Sequence, residues 1–211
     1  MRTILCFGDS NTYGLNPKDH SRFDYDKRWT GILDQKMRPH GFRVDEEGLC
    51  GRTTIYPDIL RQSRRGIDVL PVLLESHSPI DYFVIMLGTN DCKSCFNSTP
   101  QIISDGIRCH IRQVREKSDA KILLMSPIHL ALGVGEKGFD EEFNESSVVL
   151  SGLLKGAYSA IADEEKCLFL AASDYAEPSV YDREHMDENG HKSLAEAVYN
   201  VIYNDMSSNF K

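Results

Sequence analysis

The sequence predicts an α/β domain in which a mostly parallel, five-stranded sheet is covered by helices on both faces, a three-layer α/β/α sandwich. Three observations carry that prediction. Five short segments are apolar on both faces and rich in β-branched or aromatic residues, as strands covered from both sides must be. Longer segments between them repeat apolar residues at helical spacing. The two patterns alternate along the chain, the order that builds a parallel sheet through crossover helices.

The first strand covers residues 3–7 and stops at Gly8. A helix over 29–37 leads to the second strand at 42–46, and a helix over 67–76 leads to the third at 82–87. The next helix is the clearest. Thr99 is a natural N-cap, Pro100 is tolerated at the first helical position, and Ile103, Ile107, Ile111 and Val114 repeat on one face. The fourth strand follows at 121–125, a helix over 143–162, the fifth strand at 167–171 and a final helix over 191–203. Gly, Pro or charged clusters mark the breaks, and no internal repeat or low-complexity tract interrupts the order.

With 211 residues and nothing resembling a linker, one domain over 1–211 is expected. Its 41% hydrophobic content can fill a sizeable core. The net charge of -8 opposes a polyphosphate partner, and basic residues such as those at 61–65 form short clusters, so no nucleic-acid partner is expected. The apolar run ending at Gly8 is too short for a signal peptide or a membrane span, which gives a cytoplasmic protein without a membrane partner as the expectation. Six cysteines in that compartment stay reduced. Cys92 and Cys95 have the spacing of a redox pair or half a zinc site, but no second pair completes four ligands, so no metal is expected. Sheet edges leave room for a homo-oligomer.

In an open parallel sheet, function gathers where the strands end. Gly8-Asp9-Ser10-Asn11 follows the first strand, Gly48-Leu49-Cys50-Gly51 the second, and Gly88-Thr89-Asn90-Asp91 the third. Ser10 is a candidate nucleophile there, although a serine at this position also serves as an ordinary helix cap. A serine hydroxyl needs a base, and the base needs an orienting group. Of seven histidines, His20 and His40 lie in polar loops, His77 ends a helix, His110 lies within one, and His129 follows a strand. His185 differs, because Asp182 stands three residues before it in a short loop, a spacing that lets the carboxylate reach Nδ1. His191, near the start of the last helix, is expected at the surface or as a cap.

These blocks together resemble the SGNH (GDSL-like) hydrolases: Gly8-Asp9-Ser10-Asn11, Gly51, Gly88-x-Asn90-Asp91 and Asp182-x-x-His185, in order and with similar separations. The strings at 46–54 and 86–91 are similar to the arylesterase and acyltransferase branch. The resemblance spans nearly the whole chain and implies a flavodoxin-like sandwich. It also implies Ser10 as nucleophile, His185 as general base and then acid, and Asp182 as the orienting carboxylate. Ser10 N–H, Gly51 N–H and the Asn90 amide would form the oxyanion hole.

Two departures stand out. Asn11 replaces a common Leu, and Arg183-Glu184 replaces a small apolar pair between Asp182 and His185. The two charges either tune the base or point to solvent, and the solvated arrangement is the expectation. Asp9 is taken as a turn-forming carboxylate, and Arg52 and Asp91 as candidates for an ion pair.

The expected activity is hydrolysis of small acyl esters, acetyl or short-chain, on aryl or carbohydrate alcohols, with no cofactor and a small-molecule ester as partner. Acyl transfer to an alcohol uses the same steps. Residues 15–28, with Tyr13, Phe23, Tyr25 and Trp29 nearby, form either a pocket wall or an ordinary docked loop. A thioesterase or lysophospholipase on the same site, and a non-catalytic binding module on the same fold, are the alternatives.

Overall fold

The computed structural model describes residues 1–208. Five strands, β1 (Arg2–Gly8), β2 (Phe42–Gly48), β3 (Tyr82–Met86), β4 (Lys121–Ser126) and β5 (Leu168–Ala171), form one sheet in the order β2-β1-β3-β4-β5. Every neighbouring pair is parallel. Alternation along β1 explains why it is apolar throughout: Ile4 and Cys6 face one core, while Leu5 and Phe7 face the other.

The first core is closed by α2 (Trp29–Met37) and α6 (Glu188–Ser208), which bury Trp29, Leu33, Leu194 and Val198. The second is closed by α3 (Gly66–Ser76), α4 (Pro100–Lys117) and α5 (Glu145–Glu164). The stripe of Ile103, Ile107, Ile111 and Val114 is buried as its spacing requires, and Thr99 Oγ1 accepts the Ile102 N–H at 3.3 Å to cap α4. Pro71 lies inside α3 and cannot donate to the carbonyl of Ile67; Gln113 Nε2 of α4 donates to that oxygen at 2.9 Å instead.

Element ends differ from the sequence reading where a cap decides. Asn144 and Ser147 exchange reciprocal hydrogen bonds in a capping box, so α5 begins at Glu145 and not at 143. The last helix starts at Glu188, three residues before His191, so His191 lies within the helix and not at its cap, and it is in the interior and not at the expected surface. Its ring is buried, with Nδ1 accepting the Trp29 N–H at 3.3 Å and Phe23 packed edge-on. Burial drives its pKa down to about 3.

Register places the functional edge. Gly8 pairs with Gly48 on one side and Met86 on the other, so β1, β2 and β3 end at one level and their following turns share a rim. The chain turns away from β1 in opposite directions on its two sides, to β2 and to β3, which opens a crevice at that end of the sheet. No helix among the described residues is long and apolar enough to cross a membrane.

Candidate active site

Ser10 sits where β1 gives way to α1 (Ser10–Tyr13). Asp9 is the N-cap, its Oδ1 accepting the Asn11 N–H at 3.0 Å, which fixes the turn as expected of a local carboxylate. Burial pushes the Asp9 pKa up to about 6. Glycine is required at position 8, because a Cβ there would lie 2.0 Å from Thr12 Oγ1.

The loop carrying His185 is self-bracing. Asp182 Oδ1 accepts the N–H groups of Glu184 (3.0 Å) and His185 (2.9 Å), and Asp182 Oδ2 contacts His185 Nδ1 at 2.7 Å. Burial alone would raise the Asp182 pKa, but the hydrogen bond and charge of His185 outweigh it and hold the carboxyl below its ordinary range. Since a carboxylate only accepts, Nδ1 carries the proton of the neutral imidazole and Nε2 is then left to accept. Nε2 lies 2.7 Å from Ser10 Oγ. The hydroxyl, the imidazole and the carboxylate are thus aligned through two short hydrogen bonds, the geometry that moves a proton off a serine.

The other two turns are held by a network different from the ion pair anticipated for Arg52 and Asp91. Both Asp91 carboxylate oxygens accept the Thr54 N–H, and Oδ1 also takes the Thr54 hydroxyl. Arg52 turns the other way, donating to the carbonyls of Gly8 (2.8 Å) and Glu47 and stacking on Phe7. Carbonyls at strand ends are fixed acceptors that need satisfying, and Arg52 serves two of them. Gly51 adopts φ +81°, a left-handed conformation that glycine adopts without strain. Asn90 Nδ2 donates to the Arg52 carbonyl at 3.2 Å, which orients the amide and leaves its second N–H free for another acceptor.

Ser10, Gly51, Asn90, Asp182 and His185 all line one cleft of about 340 Å³. Leu15 and His20 from the 15–28 stretch line it too, whereas Phe23 and Trp29 are buried in the interior. Arg183 and Glu184 depart from the solvated expectation. Arg183, at φ +65°, folds over Phe139 and donates to the Gly133 carbonyl and to Glu136. Glu184 is buried, its side chain 8% exposed, with Oε1 3.6 Å from His185 Nε2. Burial, together with the nearby Asp140, Asp182 and Asp9 charges, pushes the Glu184 pKa up to about 7 against the pull of His185. Burial lowers the His185 pKa, but Glu184, the Asp182 hydrogen bond and the remaining acids outweigh it and hold the imidazole above its ordinary value.

Asn11 is the residue whose part was not anticipated. Its Oδ1 accepts the Met186 N–H at 3.0 Å and its Nδ2 donates to the Glu184 carbonyl at 3.5 Å, tying the Ser10 turn to the His185 loop. Asn where the family pattern has Leu was the only available signal. Cys92 and Cys95 do not act together: Cys92 is buried with Sγ 3.4 Å from the Gly88 carbonyl, and Cys95 is exposed. Among the described residues, no group of three or more His, Cys, Asp or Glu gathers as a metal site.

The model of the GDSL-like lipase/acylhydrolase family matches residues 6–193. The chain belongs to that family. The solved structure of Est24, a carbohydrate acetylesterase from Sinorhizobium meliloti, superposes with a TM-score of 0.91 at 33% identity, over 97% of this chain and 99% of that one. The aryl esterase of M. smegmatis superposes with a TM-score of 0.90, also at 33% identity and the same coverage. A curated relative, the uncharacterised esterase YxiM of Bacillus subtilis (strain 168), is 26% identical over 165 residues; the match takes in 78% of this chain and 38% of that protein's length. Family membership agrees with the all-parallel sandwich and with the ordered blocks that suggested it.

Proposed function

We propose that this family member is a serine esterase that hydrolyses small acyl esters. Ser10 Oγ attacks the ester carbonyl while His185 Nε2 takes its proton, forming the Ser10 Oγ–carbon bond. Collapse of the tetrahedral intermediate breaks the carbon–oxygen bond to the alcohol, which leaves with the proton from Nε2. Water, or a second alcohol, then attacks the acyl-enzyme by the same steps in reverse order. Asp182 holds Nδ1–H and stabilises the imidazolium. The N–H groups of Ser10 and Gly51 and the Asn90 amide receive the oxyanion, each such donor contributing about 3 kcal/mol in the transition state.

The observation that carries this reading is the pair of 2.7 Å contacts linking Ser10, His185 and Asp182 inside a cleft that also holds Gly51 and Asn90. Two similar solved structures are named as an acetylesterase and an aryl esterase, which supports a short acyl group. Ser10→Ala is expected to abolish p-nitrophenyl acetate turnover with the melting temperature preserved, and Asp182→Asn to lose less. Undiminished turnover by Ser10→Ala would refute the assignment. A chain-length series of nitrophenyl esters with acetylated sugars alongside then locates the acyl and alcohol preferences.

A further inference from the structure

Glu184 is a buried carboxyl whose part in the reaction is still unassigned. Its backbone is fully engaged, the N–H donating to Asp182 and the carbonyl accepting from Asn11. Its side chain is not: among the described residues no donor hydrogen-bonds the carboxyl, whose one cationic partner within 4 Å is His185 Nε2 at 3.6 Å. The carboxyl nevertheless lines the cleft beside Ser10. Buried carboxyls are normally satisfied by donors, because leaving one without a partner costs its full desolvation. One that faces only a cleft takes its donors from whatever fills the cleft.

Resting on the esterase reading above, we propose that Glu184 is a specificity-determining residue for the leaving alcohol, accepting a hydrogen bond from a hydroxyl on the carbon next to the ester oxygen. The chemistry fixes where that alcohol lies. Its oxygen must take a proton from His185 Nε2 and so stands within hydrogen-bond distance, roughly 3 Å, of that nitrogen. Glu184 Oε1 is 3.6 Å from the same nitrogen. A vicinal hydroxyl, as in a monoester of a diol, glycerol or a sugar, therefore falls beside Oε1 when the leaving oxygen is in place; an alkyl carbon in the same position would leave the carboxyl desolvated and unbonded. A carboxyl held up to about 7 is partly uncharged near neutral pH, which suits a neutral hydroxyl better than a fixed cation.

The test compares two nearly isosteric esters, 2-hydroxyethyl acetate and propyl acetate, by acetate release at about pH 8, using the full chain. The wild type is expected to favour hydroxyethyl acetate in kcat/KM. In Glu184→Leu that ratio should fall about tenfold or more, to the value set by intrinsic reactivity, while Glu184→Gln, whose amide oxygen still accepts, should keep most of it. A ratio between two substrates of one variant cancels any general loss of folded or active enzyme. If Glu184→Leu does not fold, Glu184→Ala makes the same comparison. A Leu or Ala variant that keeps the wild-type ratio overturns the proposal, as does a wild type without preference that still cleaves p-nitrophenyl acetate. A wild type that cleaves none of the three esters refutes the esterase reading itself.

Discussion

Replacing Glu184 with Gln should shift the acid limb of the pH–rate profile to lower pH. On the proposed mechanism His185 must be neutral to accept the Ser10 proton, so kcat/KM should rise with pH through the pKa of His185. A carboxylate beside Nε2 stabilises the imidazolium and therefore moves that limb up; removing its charge moves it down. At 3.6 Å and an effective dielectric of about 20, a unit pair attracts by roughly 4–5 kcal/mol. Each pH unit corresponds to about 1.4 kcal/mol, so a fully ionised Glu184 would displace the limb by about three units. With Glu184 held up to about 7 and His185 up to about 9, Glu184 is ionised where the imidazole titrates, so the expected displacement approaches that figure. The assay is kcat/KM for an acetate ester from about pH 5 to about 10, followed by acetate release so that the readout does not titrate. Each variant is normalised to its own plateau. A limb in Glu184→Gln within about 0.3 of a pH unit of the wild type would refute electrostatic coupling between the two groups.

Three further outcomes follow from the packing and the site. Asn90→Ala removes the amide proposed as an oxyanion donor and should lower kcat by about 100- to 1,000-fold with little change in KM; a loss expressed mainly in KM would place the amide in ground-state binding instead. Ile107→Ala empties a fully buried position on α4 and should cost about 2–5 kcal/mol in urea unfolding, with the Ser10 chemistry of the folded fraction retained. His191 is kept neutral in the folded chain, its pKa near 3 against an ordinary 6.5, so between those values the unfolded chain binds the extra proton and stability drops as pH falls. His191→Asn should therefore flatten the acid-side loss of stability by up to about 1.4 kcal/mol per pH unit in that window, and identical slopes for both proteins would disprove it.

The strands and the long helices were legible because burial on two faces, or on one stripe, leaves a period in the sequence: the run at 3–7 and the isoleucines of α4 needed no further information. The ends were less legible. The start of α5 depends on a reciprocal bond between Asn144 and Ser147, and neither residue signals alone which of several polar positions will cap. The same uncertainty at α6 misplaced His191, since a residue one turn inside the helix is no longer a cap and here packs against Trp29 and Phe23. Ordered blocks made Ser10, Gly51, Asn90, Asp182 and His185 recognisable, but they could not reveal that Asp91 would bind Thr54 while Arg52 satisfied the carbonyls of Gly8 and Glu47. That choice is made by distances across three turns.

Asn11 and Glu184 show a further limit, with a physical cause. They are separated by 173 positions and meet only when the loop before α6 closes onto the end of β1. Three turns of the rim rise from hydrogen-bonded strands and are cross-braced by Arg52 and Asp91, so Ser10, Gly51 and Asn90 are set by the sheet itself. His185 comes from an irregular loop before α6. Its position depends on Asp182 folding back on its own N–H groups, on Ser179 N–H donating to the His185 carbonyl at 2.7 Å, and on the two bonds from Asn11. A Leu at position 11 could pack against that loop but could neither accept from Met186 nor donate to Glu184. The Ser10 turn thus carries the polar contacts that register His185 against it, and the residue whose backbone Asn11 holds, Glu184, has its carboxyl facing the cleft.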